Sequence, residues 1–147
     1  MSQQKIEIKG TGKVFNKKEK QSDTFFVKMP SDLMHYVHIP GYEPEYNYLY
    51  TILVDYYNPD QGYAYPTEPQ ICRKYGKKEK AVRRHLAVLE RVGLIKSSKP
   101  KANKIYVPYQ PLSKEELFEK CPEARRSYLD YVKAEDAEKA RDRRGKS

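Results

Sequence analysis

Gly76 and Gly93 punctuate the stretch that most constrains this chain, Tyr65 to Tyr109. Glycine accepts the left-handed backbone that ends a helix, so each is a natural stop. Before Gly76, Pro66 and Thr67 open a short segment, Pro69-Gln70-Ile71-Cys72-Arg73-Lys74-Tyr75. Between the glycines, Val82, Leu86, Leu89 and Val92 fall three to four residues apart. That spacing predicts a helix from about Lys78 to Val92 with one buried face. Beyond Gly93, Leu94-Ile95 and Ile105-Tyr106-Val107 are short apolar runs around a basic, proline-containing tip. The predicted order is helix, tight turn, helix, two-stranded hairpin.

Charge singles out the same stretch. The 147-residue chain has a formal net charge of +9 and a pI near 9.4. From Arg73 to Lys104 there are twelve Lys or Arg against two acids, a local net of +10. The remaining residues carry seventeen bases and eighteen acids, a net of −1. The whole excess therefore lies on the helix pair and hairpin, which points to a polyanionic partner or a membrane surface there.

Several classes are disfavoured. No apolar run approaches the roughly 18–20 residues of a membrane-spanning helix, and Met1-Ser2-Gln3-Gln4-Lys5 opens no signal peptide, so a cytoplasmic location is expected. Cys72 and Cys121 lie in different segments, too few for a zinc site, and read as reduced thiols. Cys72, beside Ile71, reads as a small core residue. His35 and His38 have no placed nucleophile or carboxylate partner, and His85 lies within the second predicted helix. Without a glycine-rich phosphate loop or a metal-ligand cluster, the expectation is no catalysis, no cofactor and no metal.

Outside the central stretch, Lys5-Ile6-Glu7-Ile8-Lys9 alternates, and Gly10-Thr11-Gly12 can turn it into Val14-Phe15, predicting a β-hairpin. Asn16 to Asp23 reads as a loop, Thr24 to Met29 as a strand ended by Pro30, and Ser31 to Met34 as a helical turn. Tyr36 to Pro44 reads as irregular chain. Glu45 to Tyr57 is a helix with Leu49, Ile52, Leu53 and Tyr56 on one stripe. Tyr63-Ala64-Tyr65-Pro66 can lay a short strand against the hairpin. Ser113 and Glu116 have the form of a capping box for a helix to about Lys120, and Pro122 suits the first turn of another, to about Lys139.

Tyr48 to Ile95 resembles the winged helix-turn-helix domains of bacterial, plasmid and phage DNA-binding proteins. The residues carrying the resemblance are Tyr63 to Thr67, Ile71-Cys72, Gly76, Ala81 to Leu86, and Leu89-Glu90-Arg91-Val92-Gly93-Leu94-Ile95. Two positions depart from the family's habit: Lys77 replaces an apolar residue after the turn glycine, and Lys78 replaces a Ser or Thr cap. Phe26 to Pro30, with Leu33, resembles the start of amino-terminal domains of plasmid replication initiators. The implied fold class is α+β: a winged helix-turn-helix (45–110) with an N-terminal β-hairpin or strand extension (1–44), C-terminal helices (111–140) and a basic, disordered tail (141–147).

The resemblance implies a recognition helix (78–92) in the major groove of double-stranded DNA and a basic wing (96–104) on the backbone or in the minor groove. The candidate DNA-binding residues are Lys77, Lys78, Lys80, Arg83, Arg84, Lys96, Lys99, Lys101 and Lys104. Arg83 or Arg84 would read bases, because a planar guanidinium can pair with guanine O6 and N7 together. Three readings follow: a nucleoid-associated transcriptional regulator of a phage or mobile element, a replication or partition protein on iterated origin sites, or a module binding a host replication or transcription protein. The C-terminal helices either join two copies into a homodimer or pack back on their own domain.

Overall fold

In the computed structural model, which describes residues 5–15 and 27–145, a 3-10 helix (Ser31–His38) leads into α1 (Glu45–Tyr56), α2 (Glu68–Tyr75) and α3 (Glu79–Arg91). Strands β1 (Ile95–Ser98) and β2 (Ile105–Pro108) follow, then α4 (Lys114–Lys120) and α5 (Pro122–Gly145). Local chemistry sets most of these boundaries. Thr67 and Gln70 cap α2 reciprocally: the Gln70 N–H donates to Thr67 Oγ1 at 3.2 Å, and the Thr67 N–H to Gln70 Oε1 at 2.8 Å. Gly76 then ends α2 at φ 73°, and Gly93 follows α3 at φ 82°, conformations that a side chain would strain.

Strands β1 and β2 pair antiparallel, with Ile95 opposite Pro108 and Ser98 opposite Ile105. The segment before α2 meets the outer edge of β2 where the sequence suggests, but as a single bridge at Ala64 rather than a strand. Ala64 and Tyr106 exchange both backbone hydrogen bonds, at 2.7 and 2.8 Å. Ile71 from α2, Val82 and Leu89 from α3, Leu94, and Leu49 and Leu53 from α1 are fully buried together. Each such side chain contributes roughly 1.5–3 kcal/mol relative to exposure. The product is an α+β fold of winged-helix type.

Much of the tyrosine content belongs to this core. Tyr36, Tyr42, Tyr46, Tyr50 and Tyr75 are buried, and the hydroxyls of Tyr36 and Tyr50 tie distant segments together. Tyr50 Oη donates to the Tyr109 carbonyl at 2.6 Å, and Tyr36 Oη accepts the Leu112 N–H at 2.9 Å. The exit from β2 is thereby fixed against α1 and the 3-10 helix.

The amino-terminal expectation is corrected. No strand forms in 5–15 or 27–30, and Ile6 and Ile8 are each 85% exposed. Alternation supplied an apolar face with nothing to bury it, and an isolated two-stranded hairpin is marginal in water. The expected loop and most of the Thr24–Met29 strand lie outside the described residues. Residues 31–44 are not β-rich either: the helical turn extends to His38, and Leu33, Tyr36 and Tyr42 enter the core.

At the other end, the Glu116 N–H donates to Ser113 Oγ at 3.2 Å. The Glu116 carboxylate meets the Ser113 hydroxyl rather than its N–H, so half of the expected capping box forms. Leu117, Phe118 and Ala124 are buried, and Tyr128 meets His35 and His38 edge-on, so α4 and the start of α5 pack back on this chain. Helix α5 also continues past Lys139 to Gly145, where a disordered tail was expected. The ion pairs Glu135–Lys139 and Glu138–Arg141, at helical spacing, support that extension.

Candidate nucleic-acid interface

The buried stripe of α3 determines what the helix presents to solvent. Val82, His85, Leu86, Val88 and Leu89 face inward, while Lys80, Arg83, Arg84, Ala87 and Arg91 are exposed. At 100° per residue, Lys80, Arg84, Ala87 and Arg91 project opposite the core, and Arg83 lies on the flank toward α2. The start of α3 has the predicted irregularity: Lys78 is the N-cap and makes no side-chain cap.

Ion pairs divide the candidate residues. Lys77 turns back to α1, its Nζ 3.5 Å from Glu45 Oε2. Arg83 turns to the start of α2, its Nε 2.6 Å from Glu68 Oε1, while Nη2 donates to Glu68 Oε2 at 3.2 Å. Arg83 Nη2 also lies 3.7 Å from Glu79. The hydrogen bond and charge of Glu68 raise the Arg83 pKa further above its ordinary value. The side chains of Lys78, Lys80, Arg84, Lys96, Lys99 and Lys101 make no ion pair or hydrogen bond among the described residues, and all six residues are exposed. Lys104 Nζ sits 5.5 Å from the centre of the Tyr106 ring.

Beneath the presented face lies a buried polar cluster. Tyr75 Oη and His85 Nδ1 are 2.9 Å apart, and Tyr46 lies against the imidazole with ring centres 4.7 Å apart. Burial lowers the His85 pKa, Arg84 and Lys77 lower it further, and Glu45 opposes them. Burial also raises that of the Tyr75 hydroxyl, so both groups are neutral near pH 7 and bonded to each other. This bond joins the end of α2 to the middle of α3 and fixes the angle between them.

Glu90 fixes the hairpin in turn. Its Oε1 accepts the Ser97 N–H at 3.1 Å, and its carboxylate also accepts the Ser97 hydroxyl, at 3.2–3.3 Å. One of only two acids within the basic stretch thus joins α3 to β1. The tip carrying Lys99, Lys101 and Lys104 is therefore held at a set position relative to the exposed face of α3.

Arg73, counted in the charge cluster but not placed at the interface, lines a groove with Lys77, Lys78 and Lys80 where α2 meets α3. Its signal was its position one turn before Gly76 on the exposed side of a short helix. Cys72 borders this groove half-buried, and burial, then Glu79 and Glu68, holds its thiol above the usual range. Among the described residues, no three His, Cys, Asp or Glu gather as metal ligands, and no helix is long and apolar enough to cross a membrane.

Residues 48–95, from within α1 to the first residue of β1, match the family model of a helix-turn-helix domain. The match supports a helix-turn-helix DNA-binding domain over those residues. No curated protein and no solved structure matches the chain.

Proposed function

We propose that the chain is a sequence-specific duplex-DNA-binding protein, a transcriptional regulator of the kind met in phages and mobile elements, and not an enzyme. The observation that carries this reading is a set of exposed basic side chains with no ion-pair partner among the described residues: Lys78, Lys80 and Arg84 at the start and outer face of α3, Lys96 on β1, and Lys99 and Lys101 at the hairpin tip. Helix α3 enters the major groove, where Arg84 reads a guanine edge and Lys78 and Lys80 meet phosphates. The hairpin lysines neutralise the backbone beside it, which supplies most of the affinity and makes it salt-dependent.

Selection of bound duplexes from fragmented genomic DNA, read by sequencing, tests this function. One enriched motif is expected, and no enrichment over random fragments would overturn sequence specificity. A replication role uses the same face, and iterated motifs at an origin, rather than single sites near promoters, would replace regulation with that role.

A further inference from the structure

Tyr65 stands beside the tip of the basic hairpin with its ring uncommitted to the core. Ala64 pairs with Tyr106 and is buried, so alternation along the segment places Tyr63 and Tyr65 together on its opposite side. Tyr65 is 53% exposed, and its hydroxyl makes no hydrogen bond among the described residues. Its ring is steadied edge-to-face by Tyr63, with centres 5.9 Å apart. Two of the grooves that meet at this ring carry lysines: Tyr65 and Asn103 line one with Lys101 and the other with Lys99, Lys104 and Glu68.

Exposure alone would not distinguish this residue. Tyr48 is equally exposed, but its hydroxyl is committed to the Lys74 carbonyl at 2.8 Å. Tyr131 is more exposed but lies on α5 against His38, away from the basic face. Tyr65, by contrast, has lysines in the grooves beside it. An aromatic face between cationic grooves suits a base above a phosphate backbone. Bases inside a duplex are already stacked and cannot offer a face to it.

We propose that Tyr65 stacks an unpaired nucleotide of DNA, with its flanking phosphates on Lys99, Lys101 and Lys104, at the edge of the duplex held by α3. This rests on the duplex-binding reading and extends it to a junction between paired and unpaired DNA. Stacking one base on an aromatic ring strengthens binding by roughly five- to 150-fold.

The test compares the full chain on a blunt duplex, on the same duplex with a short single-stranded tail, and on one whose tail carries abasic residues. The abasic tail keeps the phosphates and removes the bases. The base-bearing tail should tighten binding at least about fivefold over the abasic one and quench the fluorescence of a 2-aminopurine placed in it. Tyr65→Ala should abolish both effects while leaving blunt-duplex affinity unchanged, and Tyr65→Phe should keep both. Equal affinity for base-bearing and abasic tails would overturn the proposal even if Tyr65→Ala failed to fold. A gain that survived Tyr65→Ala would overturn it too. Failure to bind the blunt duplex would instead count against the proposed function itself.

Discussion

Arg83 Nε lies 2.6 Å from Glu68 Oε1, tying α3 to the first turn of α2. This pair separates two neighbouring arginines that look equivalent in the sequence. Arg83 holds a protein carboxylate, whereas Arg84 projects from the outermost face with no ion-pair partner among the described residues. Arg84→Ala should therefore cost roughly 1–3 kcal/mol on the selected DNA site and less on unrelated duplex. Arg83→Ala should weaken both by similar, smaller amounts. Competition titrations with the two duplexes measure this, and the reverse ranking would exchange the roles.

Lys99 and Lys101 have no ion-pair partner among the described residues and lie exposed at the hairpin tip. Replacing both with alanine should reduce the slope of log affinity against log salt by about one or two units, whatever the sequence of the duplex. An unchanged slope would remove the tip from the interface.

Glu90 tests geometry against charge. Removing an acid beside DNA should by charge alone strengthen binding, yet Glu90 also holds Ser97 and hence the hairpin. Glu90→Ala should lower the ratio of specific to non-specific affinity without weakening non-specific binding. Hydrogen exchange should show the Ser97 amide losing protection. A preserved ratio would mean that the Glu90–Ser97 contact does not set the hairpin's position.

The buried histidine makes stability pH-dependent in a definite direction. His85 has a pKa below its ordinary 6.5, chiefly through desolvation, so the unfolded chain takes up a proton first. Its contribution should be intact above pH 6.5 and fall as pH drops from there toward the folded-state value. Lowered by burial and by His35, His38 adds a change of the same sign. Thermal midpoints followed from pH 8 to 5 should decline less steeply in His85→Leu. An identical profile would exclude His85 as a source of the decline.

Local signals were the legible part of the fold. Gly76 and Gly93 stop helices because backbone conformation is a property of one residue and its neighbours, and the Val82–Leu86–Leu89 spacing defines a face by helical geometry alone. His85 was legible in principle, since Val82, His85, Leu86 and Leu89 form one stripe, but a polar residue in such a stripe shows its role only with its partner. Tyr75 supplies that partner from the preceding helix. Pairings such as Arg83 with Glu68 or Lys77 with Glu45 depend on how helices meet, which periodicity does not encode. Ile6 and Ile8 fail for the converse reason: a local pattern indicates a strand but not whether a core exists to receive it.

The most direct test of the account is a titration of the isotopically labelled protein with its selected duplex, followed by amide chemical shifts. The largest changes should fall on Lys78 to Arg84 and on Lys99 to Lys104, with residues 122–145 of α5 unmoved. Changes confined to α5 and the 3-10 helix would contradict it.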